Sequence, residues 1–164
     1  MSHTSFLGIP VEGTITKSDR VPQRPLSELQ PLLRALLDDE KIVEFGWRQY
    51  TPYFNDGDPC VFGIYGFWVR TAADDDELDR DELRVAEYED PHPSLGGHRR
   101  EGDGWSRQLG PYEGEQQERY GRVRELGDAL LADVFADVLL EAFGDHAQVT
   151  VRRTGIVVES YKHG

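Results

Sequence analysis

The densest run of reactive side chains is Gln49-Tyr50-Thr51-Pro52-Tyr53-Phe54-Asn55-Asp56-Gly57-Asp58-Pro59-Cys60-Val61-Phe62. Carboxylates at Asp56 and Asp58 beside the phenols of Tyr50 and Tyr53 are the groups an acid–base site uses. Asn55, Asp56 and Asp58 also look like the start of a calcium loop. Such a loop needs a bidentate Glu at its twelfth position, and counting from Asn55 that position is Gly66. Asn and Asp at a turn more commonly bond their own backbone. Cys60 could serve as a nucleophile beside a histidine. Nothing in the sequence places His3, His92, His98, His146 or His163 near it, and a small buried thiol is the plainer reading. The histidines lack metal-ligand spacing and no second cysteine exists to build a zinc site. No phosphate-binding glycine loop follows a strand, and no Gly-x-Ser-x-Gly elbow occurs. No cofactor or metal is expected.

What positions these groups is a hairpin. Asp56-Gly57 is a two-residue turn signal, because a type I′ turn needs positive φ at both central positions. With that tip, Tyr50 faces Gly63, Trp47 faces Gly66 and Phe67 faces Gly46. A ring opposite a glycine covers the gap the glycine leaves. The same register sets Phe45 against Trp68 and Arg48 against Tyr65, both favourable cross-strand neighbours. Pro52 and Pro59 cannot donate to a ladder, so pairing should stop near Tyr50 and Val61 and leave 51–60 as a rigid, mainly structural loop. The strands then span about 42–50 and 61–70. Val43, Phe45, Trp47, Phe62, Ile64 and Trp68 form the core face. Glu44, Arg48, Tyr50, Tyr65 and Phe67 lie on the other, which carries many rings for a solvent face.

Gln-Tyr-Thr-Pro-Tyr-Phe-Asn-Asp-Gly-Asp-Pro-Cys-x-Phe, with Trp47 two residues upstream, resembles the signature of an uncharacterised family from bacteria and their phages. The ending Val149–Glu159 is similar to that family's C-terminal hairpin, with Thr154-Gly155 where Asp-Gly is commoner. The resemblance spans Val43–Arg70 and about the last twenty residues. It implies a shared fold and no activity.

Composition sets the outer bounds. A chain of 164 residues fits a single domain that buries most of its apolar surface without disulfides or metals. The net charge of −13 argues against binding a nucleic-acid backbone or an anionic membrane, both of which ask for clustered Lys and Arg. One cysteine excludes an internal disulfide. No basic flank precedes an apolar run near the start, so no signal peptide is expected, nor any membrane span. A cytoplasmic location follows. There is no internal repeat.

The remaining elements follow from periodicity. Phe6, Ile9 and Val11 should cover a sheet edge or core gap, with an extended connector to Pro25. Leu29, Leu32, Leu33, Leu36 and Leu37 form one helical stripe. Ser27 and Gln30 suggest a capping box, and Pro31 places the regular start at Gln30 or Pro31. Residues 74–114 read as a long, largely irregular acidic and glycine-rich excursion, mobile over 74–104, with Leu83 and Val85 in a short strand and Trp105, Leu109 and Tyr112 packing down. A second helix spans about 115–143, with a possible kink near Gly121 and Gly144 as its C-terminal glycine. Val149, Val151, Ile156 and Val158 alternate around Thr154-Gly155 as a final hairpin.

The order α-β-β-loop-α-β-β predicts an α+β two-layer sandwich: a mostly antiparallel sheet of two hairpins with two helices on one face. Two functions stay open. One is a non-enzymatic binding or accessory protein contacting another protein through Arg48, Tyr50, Tyr53, Phe54, Asn55, Asp56, Asp58, Tyr65 and Phe67. The other is a small enzyme using Asp56 and Asp58 with Tyr50 and Tyr53.

Overall fold

The fold is taken from a computed structural model, which describes residues 5–10, 21–52, 61–85, 91–102 and 108–161. A four-stranded antiparallel sheet in the order β4-β3-β7-β8 carries helices on one face, the expected α+β sandwich. Its strands are β3 (Ile42–Tyr50), β4 (Gly63–Thr71), β7 (Ala147–Arg152) and β8 (Gly155–Ser160). A two-residue ladder, β1 (Ser5–Phe6) with β2 (Ile9–Pro10), stands apart from it. The helices are α1 (Leu26–Leu37), α2 (Gln117–Leu131) and α3 (Ala136–Phe143).

In α1 the leucine stripe does what its period implies: Leu29 and Leu36 are fully buried and Leu32, Leu33 and Leu37 pack beside them. The start is earlier than expected. Pro25 holds the cap position in an extended conformation with no side-chain cap, and Pro31 lies inside the helix. A proline there removes one backbone bond, a cost the packing of Leu29 on the core offsets. At the other end the Arg153 guanidinium donates to the carbonyls of Leu37, Asp39 and Ile42 at 3.3, 3.0 and 2.9 Å. It thereby caps the last carbonyl of the helix and ties the 38–41 turn to the start of β3.

Near the loop, β3 and β4 pair as expected: Tyr50 faces Gly63 and Arg48 faces Tyr65. Between Gly46 and Arg48 the register shifts, because β4 inserts one extra residue. Gly66 supplies the positive φ of +61° that such a bulge needs. From there every side chain of β4 changes face. Gly46 faces Trp68 and Phe45 faces Val69, where the sequence suggested Phe67 and Trp68. Phe67, expected beside Tyr65, is instead 2% exposed within the core. Its ring lies so close to α2 that a Cβ on Gly127 would sit 2.9 Å from Phe67 Cδ2. That close approach explains a glycine in mid-helix. Trp68 turns to the opposite face and covers Gly46 itself, with Nε1 3.0 Å from where a Cβ would be. A second irregularity between Ile42 and Glu44 leaves Val43 exposed and puts Ile42 in the core in its place.

The expected single second helix is two. Gly121 lies inside α2, and the break comes at Asp133, whose φ is +62°. Its carboxylate accepts from Ile64 N at 3.0 Å. Gln23 bridges the break, its Nε2 donating to Asp133 O at 2.8 Å and its Oε1 accepting from Asp137 N at 2.9 Å. Gly144 closes α3 with φ +86°, as expected of a C-terminal glycine. Buried Gln49 ties β3 to that end: Nε2 donates to the carbonyls of Leu139 and Gly144 at 2.9 and 2.7 Å, and Oε1 accepts from Trp47 Nε1 at 2.9 Å.

The described parts of 74–114 hold more order than expected. A 3-10 turn at Arg80–Leu83 carries a complete capping box between Asp79 and Glu82. Residues 84–85 run beside β4, with Arg84 bridging Trp68 and Val85 N donating to Phe67 O at 3.1 Å. Strands β5 (Gly97–Glu101) and β6 (Gln108–Glu113) form a third hairpin. Leu83, Val85, His92 and Leu95 are all buried. The expected tip at Asp56-Gly57, Cys60, Phe6, Val11 and Trp105 belong to stretches outside the described residues or the described side chains.

Candidate functional site

The helix-free face of the sheet gathers the cationic and aromatic side chains. Strand alternation sends Phe45, Trp47 and Gln49 into the helix layer and Glu44, Gly46, Arg48 and Tyr50 to the other side. From β7 come Gln148 and Thr150 beside Arg48 and Gly46, and from β4 come Tyr65 and Trp68. Tyr50 and Tyr65 stack with ring centres 4.4 Å apart and planes 25° apart. Tyr161, just past β8, tilts against Tyr50 at 5.5 Å. The Arg48 guanidinium lies 4.9 Å above the Tyr161 ring. All four side chains are half-buried. Burial, followed by the neighbouring Tyr161, pushes the Tyr50 phenol above its ordinary value against the opposing pull of Arg48 and Arg84. It therefore stays a protonated donor at neutral pH, a hydrogen-bonding group and not a base.

The acidic segment after β4 docks onto the same face through arginines. Arg70 donates to the carbonyls of Asp75 and Leu78 at 2.5 and 2.6 Å. Asp81 lies between Arg84 at 3.0 Å and Arg48 at 3.4 Å. Arg80 stacks over Trp68 at 5.4 Å and reaches Glu159 at 3.7 Å. Glu44 is held by Arg152 at 2.8 Å and Arg70 at 3.1 Å. Burial alone would raise its pKa, but the hydrogen bonds from those two arginines outweigh it and leave it below the ordinary value. Between these groups lies a shallow cleft of about 340 Å³ lined by Glu44, Arg48, Arg70, Asp79, Arg80 and Asp81. The longer ion pairs, Arg48–Asp81 and Arg80–Glu159, have exposed carboxylates and are exchangeable.

Of the sequence-derived surface, then, Arg48, Tyr50 and Tyr65 come together, while Phe67 is removed to the core by the Gly66 bulge. Tyr53, Phe54, Asn55, Asp56 and Asp58 lie outside the described residues. Tyr161, Arg80, Asp81 and Arg84 were not singled out in the sequence. Two residues past Glu159, Tyr161 continues the alternation of the last hairpin, and that was its available signal.

A second polar cluster is buried under β4. His92 Nε2 donates to Val69 O at 2.6 Å, while Nδ1 accepts from Ser94 N and Leu95 N at 3.2 and 3.1 Å. Those partners fix the tautomer, and burial holds the imidazole below its ordinary pKa, so it is neutral. Ser94 Oγ donates to Asp74 Oδ2 at 3.0 Å and accepts from Thr71 Oγ1 at 2.7 Å. Serine, histidine and aspartate are thus adjacent but not wired for nucleophilic attack. The imidazole lone pair that a base would use is already taken by two backbone N–H groups. The cluster staples the 91–95 turn to the end of β4. A cleft of about 460 Å³ lies beside it, lined by Lys41, Thr71, Ala72, Ala73, Ser94, Leu95, Gln116 and Arg119.

Among the described residues, no group of three or more His, Cys, Asp and Glu side chains could hold a metal ion. No helix there is long and apolar enough to cross a membrane. No family model matches the chain, and neither does any curated protein or solved structure.

Proposed function

We propose that this chain is a non-enzymatic binding protein that contacts another protein through the helix-free face of its sheet. Arg48, Tyr50, Tyr65 and Tyr161 are its anchors. The observation that carries the reading is their cluster: three half-buried tyrosines and an arginine packed on one another where no helix covers the sheet. Tyrosine and arginine are the residues in which binding energy concentrates, because each presents a rigid apolar plane with a polar end. Here they are pre-organised by mutual stacking, so little side-chain freedom is lost on binding. The exchangeable ion pairs around them supply a polar rim. The single cysteine and highly charged composition fit a cytoplasmic setting.

Capture from extracts of the native host tests this, with wild type compared to Arg48→Ala and Tyr65→Ala. The expected result is a protein whose recovery falls at least about tenfold with either variant while both stay folded, since tenfold is about 1.4 kcal/mol and truncating a hot-spot residue costs about 2 kcal/mol or more. Equal recovery by all three baits removes this face as the contact.

A further inference from the structure

The two edges of the sheet are finished differently. The outer side of β4 is occupied by residues 84–85. The outer side of β8 has no strand partner among the described residues, and all six of its residues are exposed. They include an unbroken apolar run, Ile156, Val157 and Val158, at 50%, 41% and 46% exposure. An exposed apolar edge is a template for another strand unless it is blocked by charge, proline or a bulge, and this run has none of them.

We propose that β8 pairs antiparallel with β8 of a second copy of this chain, joining two four-stranded sheets across a two-fold axis at Val157. This does not rest on the binding role assigned to the helix-free face. The backbone gives the register. Arg152 faces Gly155 across a two-residue turn, and Tyr161 N donates inward to His146 O at 2.7 Å. Odd-numbered residues of β8 therefore bond inward to β7, and Ile156, Val158 and Ser160 turn their N–H and C=O outward. Pairing Ile156 with Val158 of the second copy uses those outward groups in both directions. It places Val157 against its own counterpart at the close, non-hydrogen-bonded position. Each apolar side chain then meets an apolar one. A shift of the axis by one residue, to Val158, sets Glu159 against Val157 and loses that match.

Charge does not oppose the same occupant. The two-fold places Glu159 of each copy opposite Gly155 of the other, so no like charges face each other across the seam. The contact is thus self-complementary, as an isologous interface must be.

Sedimentation of the full chain from roughly 5 to 200 µM tests it, the range in which a contact of strand size associates. Wild type should pass from monomer to dimer, and Val157→Lys, with two ammonium groups meeting on the axis, should stay monomeric and melt as wild type does at concentrations where wild type is monomeric. The register is checked in a Cys60→Ser background. Val157→Cys should cross-link to itself under mild oxidation, because its Cα atoms face at about 4.5 Å, within disulfide reach. Glu159→Cys, offset from its own copy by four residues, should not. A wild type that remains monomeric throughout, or equal cross-linking by both cysteines, overturns the proposal.

Discussion

The two faces of the one sheet are built from different chemistry. Toward the helices, Phe45, Trp47, Phe67, Val69, Val149 and Val151 are almost fully buried, and buried Gln49 has every polar group bonded. Away from them, order comes from stacked tyrosines, from arginines over rings and from carboxylates shared by two arginines. The first face is dense and intolerant of a missing methylene. Apart from buried Trp68 and Thr150, the second is held by interactions that are individually weak and partly exposed, so around the tyrosines it can exchange partners without unfolding the sheet. Binding capacity is expected on the second because stability is concentrated on the first.

That contrast predicts unequal costs. Phe67→Ala should be the most damaging, lowering unfolding free energy by about 3–5 kcal/mol in urea titrations, because it empties the contact between β4 and α2. If it costs no more than a surface substitution, the bulge at Gly66 has been misplaced and Phe67 belongs on the open face. Gly127→Ala sharpens the same contact. Helix propensity alone favours alanine by about 1 kcal/mol. The new Cβ would press on Phe67 at 2.9 Å, so the net effect should be destabilising and should reverse in a Phe67→Leu background.

The pH dependence separates the buried histidine from the ion-paired carboxylates. Burial holds His92 below the unfolded value of 6.5, so the unfolded chain takes up the proton first. Stability should be full above about pH 6.5 and decline as pH falls below it, and His92→Gln should flatten that decline. Glu44 on the open face is depressed below 4.5, so its contribution should persist until the pH falls through that value, as should those of Asp39, whose carboxylate accepts from Arg119 and Arg122, and Asp145, whose carboxylate accepts from Thr51, below 3.8. Melting curves between pH 8 and pH 3 would show two separate losses. A single loss confined below pH 4.5 would mean that His92 is not buried neutral.

Much of this division was legible from residue types. The leucine period gave α1, and the glycine after Phe143 gave the end of α3. The turn signal paired Tyr50 with Gly63 and Arg48 with Tyr65. What failed was the register beyond Gly66. One inserted residue moves every later side chain across the sheet, and period-two alternation cannot foresee it. Gly66 was itself the signal, since an isolated glycine in a strand marks a bulge as readily as a covered gap. The break between α2 and α3 was hidden because Asp133, and not a glycine or proline, adopts the left-handed conformation there. The β5–β6 hairpin was masked by Gly110 and Pro111 within a strand whose alternation is mostly polar.

The smallest stability effect should belong to the proposed anchors, which makes them the place to test whether binding and stability are divided between the two faces. The triple variant Tyr50→Ala, Tyr65→Ala, Tyr161→Ala should be compared with wild type by urea unfolding and by capture of its protein partner in parallel. The expected result is a cooperative transition displaced less than that of Phe67→Ala alone, together with loss of the captured protein. A triple variant that unfolds as readily as Phe67→Ala, or one that retains its partner, would contradict it.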